Sequence, residues 1–158
     1  MDLDEQIQEL IENAPQDGVT PGLVEAIAPI LKQLATQLRY LQYYIAQTLD
    51  KNWAVTLLSH ETQPDVQKQV IYAFPTLKDV TLGPYPMKDP QMIALPIPVT
   101  HILFQMVAIE VLDSIIFFEV PGNATVGTEI RRDEVQALIQ AQLRQTQTSP
   151  PSIPPDIA

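Results

Sequence analysis

Apolar residues near the start of the chain fall on one stripe of a helix. Over residues 3–13 they recur every three or four positions, while acidic side chains occupy the other face. The residues of this stripe are Leu3, Ile7, Leu10 and Ile11. A helix of this length is marginal by itself, so the pattern predicts that it docks on its own domain or on a partner. The turn signals from Pro15 to Gly18 predict a hinge after it.

A second helical pattern begins at Thr20 and continues to about Asp50. Threonine is a favourable N-cap, and the proline that follows it suits the first helical turn. Pro29 is expected to kink or divide this long helix, because its ring clashes with the preceding turn. On one side, apolar residues alternate in steps of four and three, which is typical of a helix–helix seam. This seam consists of Ile27, Leu31, Leu34, Leu38, Leu41 and Ile45.

The opposite side of this predicted helix carries three aromatic residues, Tyr40, Tyr43 and Tyr44. A helix that is apolar or aromatic all round is usually covered on more than one side. One interpretation is a core helix between a sheet and the first helix, because most apolar helical stripes are buried. The other is a subunit interface, where tyrosine is common because it buries area and keeps a polar group. The second interpretation predicts a homodimer.

The rest of the chain has mainly the pattern of β-strands. Residues 53–60 and 66–74 are rich in β-branched and aromatic side chains, and residues 115–120 form the clearest strand. Residues 92–99 are expected at a sheet edge, because they contain two prolines. Residues 101–112 have helical spacing but β-branched content, and the prediction for them leans weakly to a strand.

A last helix is predicted from Asp133 to about Gln145. The order of elements indicates an α+β fold in which N-terminal helices and a C-terminal helix pack on a mainly antiparallel sheet. The expected organisation is an acidic helix and hinge in residues 1–18 and one α+β domain in residues 19–145. Residues 146–158 are rich in proline and polar side chains, and they are expected to form a disordered tail.

The amino-acid composition disfavours several classes of function. The chain of 158 residues has 19 acidic and 9 basic side chains, a net charge of −10 and no cysteine. This charge disfavours nucleic acid, whose phosphates require clustered Lys and Arg, and the lack of cysteine excludes disulfides and thiol chemistry. The acidic start is unlike a secretory signal, so a cytoplasmic location is expected. Two prolines and a carboxylate within the apolar residues 92–112 argue against a membrane span.

Each catalytic motif that the sequence suggests lacks an essential part. Residues 122–128 have the glycine spacing of a phosphate loop but lack its lysine, so a hairpin or a strand-to-helix loop is the simpler interpretation. His101, Asp113 and Ser114 are the residue types of a hydrolytic triad, but the serine lacks the Gly-x-Ser-x-Gly turn that exposes a nucleophile. No cofactor, metal site or catalytic residue is predicted, and a hydrolase-type enzyme is the least favoured function.

Arg131 and Arg132 form the only basic cluster, just before the predicted last helix. Arginine binds carboxylates with two hydrogen bonds, so the pair is a candidate contact for an acidic partner or for the acidic first helix. The predicted function is a non-enzymatic protein-interaction module, of an adaptor, assembly-factor or chaperone-like kind, that works as a homodimer. The alternative is a domain that binds a small apolar ligand between the long helix and the sheet.

Overall fold

The computed structural model describes residues 2–15, 17–48, 50, 52–59, 67–82 and 92–147. The helices in this part of the chain are α1 (Leu3–Asn13), α2 (Thr20–Ala35), α3 (Leu77–Leu82), α4 (Val99–Met106) and α5 (Arg132–Gln147). The strands are β1 (Gln42–Gln47), β2 (Thr56–Ser59), β3 (Gln67–Ala73), β4 (Ile93–Pro98), β5 (Ser114–Val120) and β6 (Asn123–Arg131). The fold is α+β, as the sequence predicts. None of the helices within these residues is both long and apolar enough to cross a membrane.

Four strands form the main sheet, in the order β2-β3-β5-β6. The pairs β2–β3 and β5–β6 are antiparallel, whereas β3 and β5 are parallel, because α3, β4 and α4 form the crossover between them. Strands β1 and β4 form a separate antiparallel pair. This pair joins the main sheet at Tyr44, whose backbone N–H and C=O exchange hydrogen bonds of 2.7 and 2.9 Å with Phe74.

The main core lies between the helices and one face of the main sheet. Successive strand residues point to opposite faces, so alternate positions of β3 and β5 reach this core. The buried sheet residues are Ile71, Ala73, Ile115, Phe117 and Ile130. A smaller apolar cluster on the other face consists of Phe74, Val80 and Phe118.

The predicted single helix from Thr20 to Asp50 is wrong. α2 ends at Ala35, and Gln42–Gln47 forms β1 instead of continuing the helix. Pro29 lies inside α2 and does not end it. The chain reverses direction after α2, and a residue distant in sequence stabilises this turn. The Glu119 carboxylate of β5 accepts a hydrogen bond of 2.9 Å from the backbone N–H of Arg39. The predicted helix–helix seam thus starts in α2 and ends in β1.

One further segment differs from its prediction, and another agrees with one of its two alternatives. The preference for a strand over residues 101–112 is wrong for its first half, which belongs to α4. Pro98 occupies the N-cap position of α4 and makes no side-chain capping hydrogen bond. For residues 122–128 the hairpin is the alternative that agrees with the structure, because β5 and β6 are antiparallel and the turn between them contains Gly122 at φ +79°.

The predictions of an edge strand and of a C-terminal helix agree with the structure, and most of the predicted tail lies outside the described residues. β4 pairs with β1 and with no other described strand, as its prolines predict for an edge. The C-terminal helix is present, and it extends to Gln147, two residues beyond its expected end. The predicted tail therefore begins inside α5, and residues 148–158 lie outside the described residues.

The start of α2 is stabilised by a carboxylate. Asp17 Oδ1 accepts hydrogen bonds from the backbone N–H groups of Thr20 (2.7 Å) and Val19 (2.8 Å), and Asp17 Oδ2 accepts one from the Thr20 hydroxyl (2.7 Å). The two hydrogen bonds from Thr20 are the main cause that lowers the pKa of Asp17 from 3.8 to about 2, and the N–H of Val19 adds to the effect.

This lowered pKa predicts a pH dependence. The ionised form is favoured in the folded state, so its contribution to stability is complete above the unfolded pKa of 3.8 and is lost as the pH falls to about 2. The Asp17→Asn variant should therefore be less stable than the natural chain at pH 6, and the difference should disappear between pH 4 and pH 2. Urea unfolding at several pH values measures it. A difference that stays constant down to pH 2 would contradict the expected titration.

Candidate interaction site

α1 packs on α2 and α4 through its apolar stripe. Ile7 is buried, and Leu3, Leu10 and Ile11 are partly buried against the main core. The helix starts with a capping box, in which Asp2 Oδ1 accepts from the N–H of Glu5 (2.8 Å) and Glu5 Oε1 accepts from the N–H of Asp2 (3.1 Å). The four stripe residues that the sequence proposes as contacts therefore lie against their own domain.

A glutamine that the sequence analysis missed lies at the centre of this contact. Only 1% of Gln6 is exposed. Its Nε2 donates to the Leu41 carbonyl (2.8 Å), and its Oε1 accepts from the N–H (3.0 Å) and the hydroxyl (2.8 Å) of Thr100. Thr100 is in the first turn of α4, where backbone N–H groups have no partner within the helix. Gln6 thus connects α1 to the start of α4 and to the segment before β1.

A cleft of about 260 Å³ opens at the C-terminal end of α1. His101 borders it, and the Nε2 atom of this histidine lies 3.0 Å from the Gln6 carbonyl oxygen. Its other lining residues are Leu10, Asn13, Ala14, Pro15, Thr20, Phe104 and Gln105. Sites for drug-sized ligands usually measure about 300–1,000 Å³. The cleft is therefore slightly smaller than such a site, and it lies between helices instead of between a helix and the sheet.

The three tyrosines do not share a helical face, because Tyr43 and Tyr44 lie in β1 and Tyr40 precedes it. Tyr43 is completely buried. Its ring meets the ring of Phe117 edge-on at a centroid distance of 5.0 Å. Tyr40 packs against the main core and Tyr44 against the smaller cluster. The common face on which the dimer interpretation depended is therefore absent.

Glu119 connects β5 to β1 and to the turn before it. Both of its carboxylate oxygens lie 3.2 Å from the Tyr43 hydroxyl, which also accepts from the N–H of Tyr40 (3.3 Å). Burial raises the pKa of Tyr43, and the negative charge of Glu119 raises it further against the opposing effect of the Tyr40 N–H. A carboxylate within the apolar strand β5 is the sequence signal for this buried group.

The two arginines do not contact α1. Arg132 donates from Nε (3.1 Å) and Nη2 (2.7 Å) to the carbonyl of Val107 at the end of α4, where positive charge is favourable. Arg131 is exposed and donates to Asp133 (3.3 Å). The acidic helix instead pairs through Asp4 with Lys32 (2.6 Å).

An open cleft of about 440 Å³ lies beside the two arginines. Its lining mixes both signs of charge and consists of Gln67, Lys68, Glu110, Leu112, Asp113, Arg131, Arg132 and Asp133. Next to it, Glu129 forms an ion pair with Lys68 and accepts from the Ser114 hydroxyl (2.6 Å). Burial raises the pKa of Glu129, but these two contacts and the charges of Lys68 and Arg131 outweigh it and hold this pKa below its usual value.

The structure does not assemble a catalytic triad from the residues considered. Ser114 is buried and its hydroxyl donates to Glu129, while His101 contacts Gln6 on α1. Asp113 accepts from the backbone N–H of Gln69 (2.7 Å). Among the described residues, no three His, Cys, Asp or Glu side chains are grouped so that they could hold a metal ion.

No family model, no curated protein and no solved structure matches the chain. Its function is therefore inferred from its own geometry.

Proposed function

We propose that the chain is a non-enzymatic protein-interaction module in which α1 is an exchangeable helix. In this proposal α1 covers a groove between α2 and α4, and an amphipathic helix of a partner protein takes its place. The module works as a homodimer, in the manner of an adaptor or chaperone-like protein. The observation that supports a specific docking groove is the buried Gln6 side chain, whose three hydrogen bonds give the groove a defined polar contact.

The other contacts of α1 are apolar packing, a contact with His101 and one exposed ion pair. Ile7 is buried, Leu3, Leu10 and Ile11 are partly buried, and full burial of one such side chain contributes about 1.5–3 kcal/mol. His101 Nε2 lies 3.0 Å from the Gln6 carbonyl oxygen. The ion pair between Asp4 and Lys32 is exposed, and pairs of this kind contribute about 0–1 kcal/mol. A partner helix that buries more apolar surface can therefore replace α1, provided that it satisfies the groups that Gln6 satisfies.

The groove defines the chemistry of the partner helix. It presents one acceptor, the Leu41 carbonyl, and two donors from Thr100, so an amide side chain is required at this position. The pattern of α1 is Leu-x-x-Gln-Ile-x-x-Leu-Ile. Residues 1–17 contain six acidic side chains and no basic one. A partner helix with a basic outer face is thus favoured over α1 by the net charge of −10.

Peptide binding tests the proposal on the full chain. A fluorescent peptide with the sequence of residues 2–15 should bind saturably and increase amide exchange in the α1 of the protein. The matched control is the same peptide with Gln6→Leu, which should bind at least about tenfold more weakly, because each lost 1.4 kcal/mol reduces affinity tenfold.

Hydrogen exchange on the chain alone gives a second measure. The amides of α1 should exchange much faster than those of β5, since local opening releases α1 without unfolding the sheet. Equal protection in α1 and β5, together with no saturable binding of the peptide, would show that α1 is a permanent part of the core.

A further inference from the structure

The cleft of about 260 Å³ at the C-terminal end of α1 is bordered by three helices. One side of it is formed by the last turns of α1 and the two residues that follow, and the first residue of α2 lies next to them. The lining residues on this side are Leu10, Asn13, Ala14, Pro15 and Thr20. The cleft therefore exists in this form only while α1 is docked on its own domain.

The other side of the cleft carries a hydrogen-bond acceptor that the fold does not use. His101, Phe104 and Gln105 are three and four residues apart, so they share one face of α4. His101 Nε2 lies 3.0 Å from the Gln6 carbonyl oxygen, and a carbonyl oxygen only accepts hydrogen bonds. Nε2 therefore carries the hydrogen, which leaves Nδ1 of the neutral ring as an acceptor. No donor in the described part of the chain bonds to this Nδ1 atom.

The size and lining of the cleft suit a neutral aromatic ring. Leu10, Ala14, Pro15 and Phe104 are apolar, and none of the described residues that line the cleft is Asp, Glu, Lys or Arg. An ion would lose its hydration here without gaining a fixed counter-charge. An apolar cavity of about 150 Å³ binds benzene, so a cleft of about 260 Å³ has room for two fused rings.

We propose that this cleft binds a small, neutral aromatic molecule that carries one N–H or O–H donor. The rings pack on Leu10 and Phe104, and the donor bonds to Nδ1 of His101. Aromatic pairs are favourable beyond the area that they bury, which selects a flat ring over an aliphatic ligand beside Phe104. The donor is needed because a ligand without one would cover the His101 acceptor and leave it without a partner.

Binding in the cleft also regulates the exchange of α1, and this part of the inference rests on the proposed function. Four of the eight lining residues belong to α1 or to the two positions after it, so undocking of α1 dismantles the cleft. A ligand that binds only the docked state shifts the population towards that state. The small molecule and a partner helix should therefore weaken each other's binding by the same factor.

Titration of the full chain with indole tests the site, with amide NMR signals as the measurement. Indole has a ring N–H, and the matched control ligand, benzofuran, has the same shape with an oxygen atom in that place. Indole should bind saturably and shift the signals of residues 10–14 and 101–105. Its affinity should be at least about tenfold higher than that of benzofuran. Equal affinities, no saturable binding of indole, or shifts confined to other residues would each overturn the proposal.

A variant that fills the cleft gives an independent test. Ala14→Leu should weaken indole binding at least about tenfold, because the larger side chain occupies part of the space. The matched control is Ala137→Leu, which makes the same change at an exposed position of α5 and should bind indole like the natural chain. A folded Ala14→Leu variant that binds indole as tightly as the natural chain would contradict the assignment. If Ala14→Leu does not fold, the comparison of indole with benzofuran decides.

The site and the exchange of α1 fail separately. Saturating indole should slow amide exchange in α1 and weaken binding of the peptide of residues 2–15. Indole that binds in the cleft without changing either measurement would refute the regulation. Binding of indole without any binding of the peptide would refute the exchange and keep the site, whereas binding of the peptide without indole would refute the site alone.

Discussion

Replacing Tyr43 with alanine is expected to lower the free energy of unfolding by about 3–5 kcal/mol, the usual cost of removing a large buried aromatic side chain. The side chain of Tyr43 is completely buried and packs on Phe117, so the substitution opens a cavity in the main core. It also removes the hydroxyl from Glu119, which is itself only 8% exposed. Urea unfolding of the purified variant measures the loss.

Two controls separate packing from hydrogen bonding. Tyr43→Phe keeps the ring and removes the hydroxyl, so Glu119 loses one of its hydrogen bonds and the Tyr40 N–H loses its acceptor. It should therefore cost about 1–3 kcal/mol. Tyr40→Ala removes a half-buried ring from the edge of the same cluster and should cost less than Tyr43→Ala. A tyrosine at a subunit interface would behave in the opposite way, since Tyr43→Ala would then leave the unfolding of the monomer unchanged and abolish the dimer.

Tyr43 also shows why the helix predicted through residue 50 failed. The spacing of Tyr40, Tyr43 and Tyr44 fits a helical face, but the strand alternation fits equally well, with Tyr43 and Ile45 buried and Tyr44 between them half-buried. A window of six residues does not distinguish the two periods. The hydrogen bond from the Arg39 N–H to Glu119 stabilises the turn that ends the helical part of the chain. It spans 80 residues of sequence, so no local pattern can indicate it.

Predictions succeeded where several local signals agreed. β5 was identified because Ile115–Val120 is apolar and ends at Pro121-Gly122, and the structure gives Ser114–Val120. The parallel pairing of β3 and β5 could not be predicted, because it depends on how the crossover between them folds back. Gln6 was missed for a similar reason. Its hydrogen-bond partners lie 35 and 94 residues further along the chain, so nothing near Gln6 marks it as buried.

Gln6→Leu is expected to lower the free energy of unfolding by about 2–4 kcal/mol, because each buried polar group left without a partner costs about 1–3 kcal/mol. Leucine retains most of the apolar volume but leaves the Leu41 carbonyl and both Thr100 donors without the Gln6 amide. Undocking of α1 returns these groups to water, so the loss cannot exceed the free energy that holds α1 in its groove. The measured loss therefore sets a lower limit on the docking free energy.

The segments in which the Gln6→Leu variant loses protection from amide exchange distinguish an exchangeable α1 from a permanent one. If α1 is exchangeable, amide exchange in the Gln6→Leu variant should become fast over Leu3–Asn13 and stay slow in β5, because the sheet remains folded. Thr100→Val supplies the control, since it removes the Thr100 hydroxyl, one of the two donors that Gln6→Leu leaves without the Gln6 amide. The double variant should then lose less than the sum of the two single variants, which shows that the two side chains act on each other. A uniform loss of protection in α1 and β5, with strictly additive costs, would instead mean that α1 unfolds only with the whole domain.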